Sequence, residues 1–213
     1  MPKLRAHTIS VSVDGFMAGP DQDLENPLGV GGEALHAWIF PQKDSGRPVD
    51  PSGPDADFLL RRTEGVGATV MGRNMFGPVR GEWPDESWRG WWGEDPPFHH
   101  PTFVLTHHAR EPLTMDGGTT FHFITDGLES AVEQAFDAAD GQDVVLGGGA
   151  STIRAALQVG LLDELHVAIV PVLLGRGEPL FSARLPPSYV VVEHVPSDSV
   201  THVVIAKRES AAT

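Results

Sequence analysis

A run of apolar residues that stops at three glycines and resumes at helical spacing constrains this chain more than any other feature. Val144, Val145 and Leu146 are consecutive and apolar, the pattern of a strand buried on both faces. Gly147, Gly148 and Gly149 follow, and Ile153, Ala156, Leu157 and Leu161 then recur along one helical face. A strand buried on both faces needs a layer on each side of its sheet, which points to the α/β class. Glycine has no Cβ, so a ligand can lie directly on the main chain there. The helix N-terminus just beyond offers its free N–H groups to an anion such as phosphate. Glycines also close many strand–helix junctions that bind nothing, and the motif alone does not choose between the two readings.

A second unit of the same kind lies upstream. Ala68-Thr-Val-Met-Gly-Arg-Asn-Met-Phe76 reads as a strand that runs into Gly72 and a helical turn. Arg73 sits where a guanidinium fork can hold a phosphate; a surface ion pair is the other reading. A third segment, Val104-Leu-Thr-His-His-Ala-Arg110, ends a strand in hydroxyl, imidazole and guanidinium groups.

Around these segments the pattern predicts one α/β domain over 1–209 with a short tail at 210–213. Ile9, Val11 and Val13 alternate with Thr8, Ser10 and Ser12, a strand that ends at the Asp14-Gly15 turn. A short helix is expected from Glu33 to Phe40, a surface loop from Pro41 to Pro54 and a helix from Asp57 to Arg62. Ala68–Met71, Thr102–Thr106 and Thr120–Ile124 read as strands. Asp126 with Glu129 resembles a capping box. The helix it would open shows an apolar face at Leu128, Ala131, Val132, Ala135, Phe136 and Ala139. Glu164–Leu174, Tyr189–His194 and Val200–Lys207 are β-rich with no helical pattern between them, so a mainly parallel sheet should finish in antiparallel strands.

Lys and Arg number 15 against 29 Asp and Glu, a formal net charge of −14. That field opposes nucleic acid and anionic membranes as partners, and an anionic ligand needs a local site. The absence of Cys rules out disulfides, thiolate zinc sites and a cysteine nucleophile. Met1-Pro-Lys-Leu-Arg-Ala-His-Thr8 lacks a signal peptide's apolar core, and no apolar run approaches membrane-spanning length, so the expected location is cytoplasmic.

Taken in order, these segments resemble the dihydrofolate reductase-like superfamily. Within it they are similar to the C-terminal reductase domain of the bifunctional riboflavin-biosynthesis deaminase–reductase. The resemblance runs over most of the chain. It is carried by Ser12-Val-Asp-Gly-Phe16, Met71-Gly-Arg73, Val104-Leu-Thr106, Val145-Leu-Gly-Gly-Gly149 and Asp163-Glu-Leu165 with Pro171-Val-Leu-Leu-Gly175. It implies a single-domain, three-layer fold with a central, mostly parallel eight-stranded sheet ending in antiparallel strands. It also implies NADPH across the carboxyl ends of the strands. By the same resemblance Gly147, Gly148 and Gly149 pass under the cofactor diphosphate, with a cis peptide at Gly147–Gly148, while Ala150, Ser151 and Thr152 offer helix N-terminal amides. Gly72, Arg73 and Asn74 approach from the other side; Leu105 carries the third segment to the cofactor; and Arg73, Thr106 and His107 resemble a 2′-phosphate cluster. Related chains place a Thr at the position of Met75, so that hydroxyl contact is missing here. Asp14 resembles the acidic residue beside the reacting ring, although Asp-Gly is also an ordinary turn former.

The implied activity is NADPH-dependent reduction of a small heterocyclic or carbonyl-bearing substrate. The best-known example in the similar domain is the reduction of 5-amino-6-(5-phosphoribosylamino)uracil. A nucleotide-binding or ligand-sequestering module without turnover is the alternative. The 19–54 segment and the loop with Trp83, Trp88, Trp91 and Trp92 are expected to wall the substrate side; the tryptophans also suit loop packing or a homodimer interface. His99-His100 and His107-His108 suggest a metal, but adjacent strand residues point to opposite faces, so no metal is expected. Alignment of Leu35-His-Ala-Trp-Ile-Phe40 with the first helix of folate reductases puts Leu35 where their acid stands. Dihydrofolate is therefore not the expected substrate, unless the alignment slips by two residues and brings in Glu33.

Overall fold

The computed structural model describes residues 1–40, 53–77 and 81–208; residues 41–52 of the expected surface loop and the expected 210–213 tail lie outside them. In chain order, β1 (Leu4–Ser12) and β2 (Phe16–Ala18) precede a 3-10 helix (Gly32–His36) and α1 (Pro54–Arg61). Next come β3 (Val66–Gly72), α2 (Arg73–Phe76), β4 (Pro101–Leu105), β5 (Leu113–Thr114), β6 (Thr120–Ile124) and α3 (Leu128–Ala138). Then β7 (Asp143–Gly148), α4 (Ala150–Gln158), β8 (Glu164–Val170), β9 (Glu178–Pro179), β10 (Tyr189–Pro196) and β11 (Thr201–Lys207) complete the fold. The main sheet runs β10-β11-β8-β1-β7-β3-β4-β6-β5. From β8 to β6 every pairing is parallel, while β11 and β10 on one side and β5 on the other pair antiparallel. Among the described residues the sheet thus has nine strands rather than the eight implied; the extra one is β5, two residues at the edge.

Both faces are covered, as parallel strands require. Leu165 and Val167 of β8 join Ile153, Ala131 and Ala135 of α4 and α3 in one core, while Ala168 and Val170 pack with Leu35, Trp38 and Val200 on the opposite face. Farther along that second face, Met71, Phe76, Val104 and Phe121 form another cluster beneath the tryptophan loop.

β1 departs from the expected half-polar strand. It begins at Leu4, and Ser10 and Ser12 are as buried as Ile9 and Val11. Its register against β8 shifts between Ala6 and Ile9, where Thr8 has φ 56°. The extra residue flips the side-chain parity, so that Leu4 and Ala6, then Ile9 and Val11, all reach the same core. The Thr8 N–H freed by this bulge donates to Nδ1 of His166 at 3.0 Å. Accepting there fixes the imidazole proton on Nε2, which donates to Nδ1 of His202 at 3.0 Å; His202 Nε2 in turn donates to Asp55 at 2.8 Å. Phe58 of α1 stacks on both imidazoles. Every link of this buried chain is paired, which is the condition for polar groups in a core.

Two further expectations are corrected. The residue that starts α3 is Gly127 at φ 95°, with no side-chain cap, so Asp126 stands one position too early for a capping box. The helix expected over Glu33–Phe40 is the 3-10 turn Gly32–His36, entered through Gly31 at φ 77°. No helix of the described residues is long and apolar enough to cross a membrane.

Candidate functional site

The adjacent strands β1, β7, β3, β4 and β6 open into one cleft of about 940 Å³. At a strand spacing of about 4.8 Å it extends roughly 19 Å across the sheet. Its volume is near the upper end of the range for ligand sites.

β7 supplies the middle. Val144, Val145 and Leu146 are buried, and the strand then turns through Gly148 at φ 144° and Gly149 at φ 87° into α4. Side-chain-bearing residues rarely adopt these angles, which explains the glycines without invoking a ligand. No described peptide bond is cis, Gly147–Gly148 included; the implied cis bond is replaced by the positive φ of the two following glycines. The first main-chain bond of α4 runs from Ile153 N to Gly149 O, so the amides of Ala150, Ser151 and Thr152 emerge at the helix end. All three residues line the cleft.

Gly72 ends β3 in an ordinary extended conformation, φ −75°. Its need for glycine comes from the neighbouring junction: a Cβ there would lie 2.8 Å from Thr152 Oγ1 and 3.8 Å from Gly149 Cα. Gly72 is thus crowded, within the protein, by the β7–α4 junction. Arg73 and Asn74 continue from it along the cleft.

Toward β6 the cleft is cationic. The Arg73 guanidinium lies 3.0 Å from the centroid of the Trp83 ring, with Nη1 3.5 Å from Thr106 Oγ1. The latter distance is at the long limit for a hydrogen bond. Arg110 approaches the same ring at 4.9 Å. Burial and the charge of Arg110 bring the pKa of Arg73 down to about 10, which leaves it charged at neutral pH. Leu105, Thr106 and His107 line this end, with His107 exposed. All of the positions expected to hold the cofactor, from Gly72 to Thr152, therefore share one cleft.

Ile124, Thr125, Gly127 and Leu128 also line it. They form a third strand–glycine–helix junction that the capping-box reading of Asp126 obscured. Its signal was the recurrence of the pattern found at Gly72 and Gly149. The tryptophans divide their roles. Trp83 Nε1 donates to His108 O and Trp88 Nε1 to Phe76 O, each at 2.9 Å, so these two staple the loop to the core. Trp91 and Trp92 line the cleft.

At the β1 end the lining passes from Thr8, Ile9 and Ser10 to Met17, Gln22, Pro27, Leu28, His36 and Phe40. A family profile described as RibD C-terminal domain matches residues 2–203. The chain belongs to the RibD C-terminal domain family. It is 42% identical over 179 residues to the uncharacterized protein YyaP of Bacillus subtilis (strain 168), covering 81% of this chain and 77% of that one. Among solved structures, a protein named for riboflavin biosynthesis from Shewanella sp. PV-4 superposes with a TM-score of 0.61 at 21% identity, covering 98% of this chain and all 100% of that one. Dihydrofolate reductase from Enterococcus faecalis, complexed with NADP(H), superposes with a TM-score of 0.55 at 16% identity, covering 97% of each chain.

Asp14 of this RibD C-terminal domain is not among the residues that line the cleft. Its Oδ1 accepts from Ser12 Oγ at 2.5 Å and from Leu174 N at 3.2 Å, and its Oδ2 accepts from Gly175 N at 2.6 Å. These bonds, the Ser12 one foremost, hold its carboxyl below the usual range. The geometry is that of a turn clasping the loop after β8. Leu35 is fully buried against Trp38 and Val170, and Glu33 is exposed; neither lines the cleft, whereas His36 does. His99 and His100 turn to separate partners, Gly117 O and Thr69 Oγ1.

Proposed function

We propose that this chain is an NADPH-dependent reductase of a small heterocyclic or carbonyl-bearing substrate, of the type that acts on 5-amino-6-(5-phosphoribosylamino)uracil. The observation that carries the reading is the cleft itself. A cationic corner, two glycine junctions and a set of helix N-terminal amides follow one another over a length suited to a dinucleotide. The residues present fit the cofactor: Gly147, Gly148 and Gly149 leave room over the main chain, the amides of Ala150, Ser151 and Thr152 suit the diphosphate, and Arg73 with Thr106 and His107 suits a 2′-phosphate. NADPH supplies a hydride. The protein's part is to fix the distance and exclude water, so that reaction follows from orientation. Leu28, Met17 and Phe40 would do this at the β1 end.

Thermal shift and fluorescence titration with NADPH and NADH test the cofactor. NADPH should bind roughly ten- to a hundredfold more tightly, the equivalent of a charge-assisted contact of about 1.5–3 kcal/mol. Equal shifts would remove the assignment. Oxidation of NADPH against a panel of small heterocycles and carbonyl compounds tests turnover. Dihydrofolate should be inert, since the fully buried Leu35 and the exposed Glu33 bring no carboxylate to the ring. Tight NADPH binding with no oxidation across the panel would select the second reading, a nucleotide-binding module without turnover.

A further inference from the structure

We propose that Glu178 binds the dinucleotide, its carboxylate accepting hydrogen bonds from the two hydroxyls of the ribose that follows the diphosphate, with Arg154 as the residue that positions it. The inference rests on the cofactor reading above and adds to it a residue for the second ribose. Its ground is charge and place. Among the described residues that line the cleft, Glu178 is the one acid. A carboxylate in a cleft suited to a polyanion needs a reason of its own, because like charges repel across a few ångströms.

Two contacts fix where this carboxylate stands. Glu178 pairs with Ala18 across the β2–β9 ladder, and Ala18 lines the β1 end of the cleft with Met17. On its other side Oε1 accepts from Arg154 Nη2 at 2.8 Å, while Arg154 Nη1 donates to Pro179 O. Arg154 follows Ala150 by four residues on α4, so the two share a helix face. A helical side chain leans toward the N-terminus, which brings Arg154 and its partner back toward the amides of the first turn. Glu178 therefore stands between those amides and the β1 end. The covalent order of a dinucleotide does the rest. With its 2′-phosphate at Arg73 and its diphosphate at the α4 amides, the next group toward β1 is a ribose, whose hydroxyls are donors. A carboxylate has about four acceptor sites, and Arg154 takes one of them. Among the described residues no other side chain bonds this carboxylate, and the Glu178 side chain is 42% exposed. Arg154 also offsets its charge, so that carboxylate and diphosphate can lie near each other.

The test is calorimetric titration of three ligands into the wild-type protein, Glu178→Gln and Glu178→Ala, with thermal melting to confirm folding. Adenosine 2′,5′-bisphosphate stops short of the second ribose, 2′-phospho-ADP-ribose ends with it, and NADPH adds the nicotinamide ring. Glu178→Ala should bind the last two ligands roughly tenfold or more weakly, the loss of a charge-assisted contact. Glu178→Gln, which keeps a neutral acceptor, should fall between it and the wild type. Affinity for the bisphosphate should be equal in all three proteins. Equal NADPH affinity in the wild type and Glu178→Ala overturns the proposal. So does an equal loss for all three ligands, which marks a loosened β9 rather than a lost contact. A loss confined to NADPH moves the contact to the ring and overturns the ribose assignment. Failure of all three ligands to bind the folded wild type is a separate result: the cofactor reading itself then falls, and this inference with it.

Discussion

Toward β6 the cleft gathers Arg73, Thr106 and His107, with Arg110 over the same Trp83 ring, in a chain whose net charge is −14. Toward β1 it presents Ile9, Met17, Leu28 and Phe40 around a neutral His36. The first end sets Arg73 beside Arg110, and the pKa of Arg73 is lowered first by burial and then by that neighbouring charge. The second end keeps its hydroxyls and amide occupied and its charges paired. A strongly acidic protein can attract an anionic ligand only through such a local corner. The contrast favours a ligand set with an anionic terminus at one end and an uncharged ring at the other.

The sharpest way to break the contrast is at the glycines between the two ends. Gly148→Val places a branched side chain at φ 144°, with its Cβ 3.3 Å from Met75 Sδ. NADPH affinity should fall more than about a hundredfold, beyond any single charge-assisted contact. Circular dichroism should show a retained fold, and full affinity in the valine variant would refute the diphosphate assignment. Arg73→Ala should act at one end only. Fluorescence titration should show the NADPH preference over NADH reduced by roughly ten- to a hundredfold, while Arg73→Lys keeps part of it.

Acid acts beneath the other end. Burial, then the neighbouring His202 and His7, brings the pKa of His166 to about 2 in the fold against 6.5 when unfolded. The unfolded chain therefore takes up the proton first. The stability present above pH 6.5 is lost progressively as pH falls toward 2, at about 1.4 kcal/mol per unit. Between pH 7 and 5 this amounts to about 2 kcal/mol from His166 alone, and His202, also lowered, adds in the same direction. Denaturant melts at the two pH values measure it; His166→Asn should flatten the dependence. The smallest effect belongs to Asp14→Asn. It should loosen the 172–175 loop in hydrogen exchange and leave NADPH affinity unchanged. A hundredfold loss of turnover without any loss of stability would make Asp14 a catalytic residue after all.

Local pattern made the glycine junctions and the strands beside them legible. Val144 to Gly149 and Ala68 to Arg73 announce strand, turn and helix within a few residues, and order along the chain brought their cleft positions together. What stayed hidden depends on partners far away in sequence. In β1 the alternation of apolar and polar residues shows a strand, but nothing local reveals that Ser10 meets Trp38 or that the Thr8 amide meets His166. The reversed parity of Leu4 and Ala6 against Ile9 and Val11 was a visible sign of the bulge. Leu35 and His36 are one residue apart, and only the 3-10 winding decides which of them enters the core. At Gly72 the motif points to a ligand, and no sequence pattern shows that Thr152 of the neighbouring junction crowds it.

That last contact has an evolutionary consequence. Thr152 Oγ1 lies 2.8 Å from where a Cβ on Gly72 would sit and 3.3 Å from one on Gly149. The fitness effect of a change at position 72 therefore depends on which residue occupies position 152, a case of epistasis between segments eighty residues apart. Gly72→Ala should be deleterious alone and nearly silent once Thr152→Ala has removed the hydroxyl, so a lineage can take the two steps in only one order. Related chains that carry a side chain at position 72 should be those that have already lost the threonine.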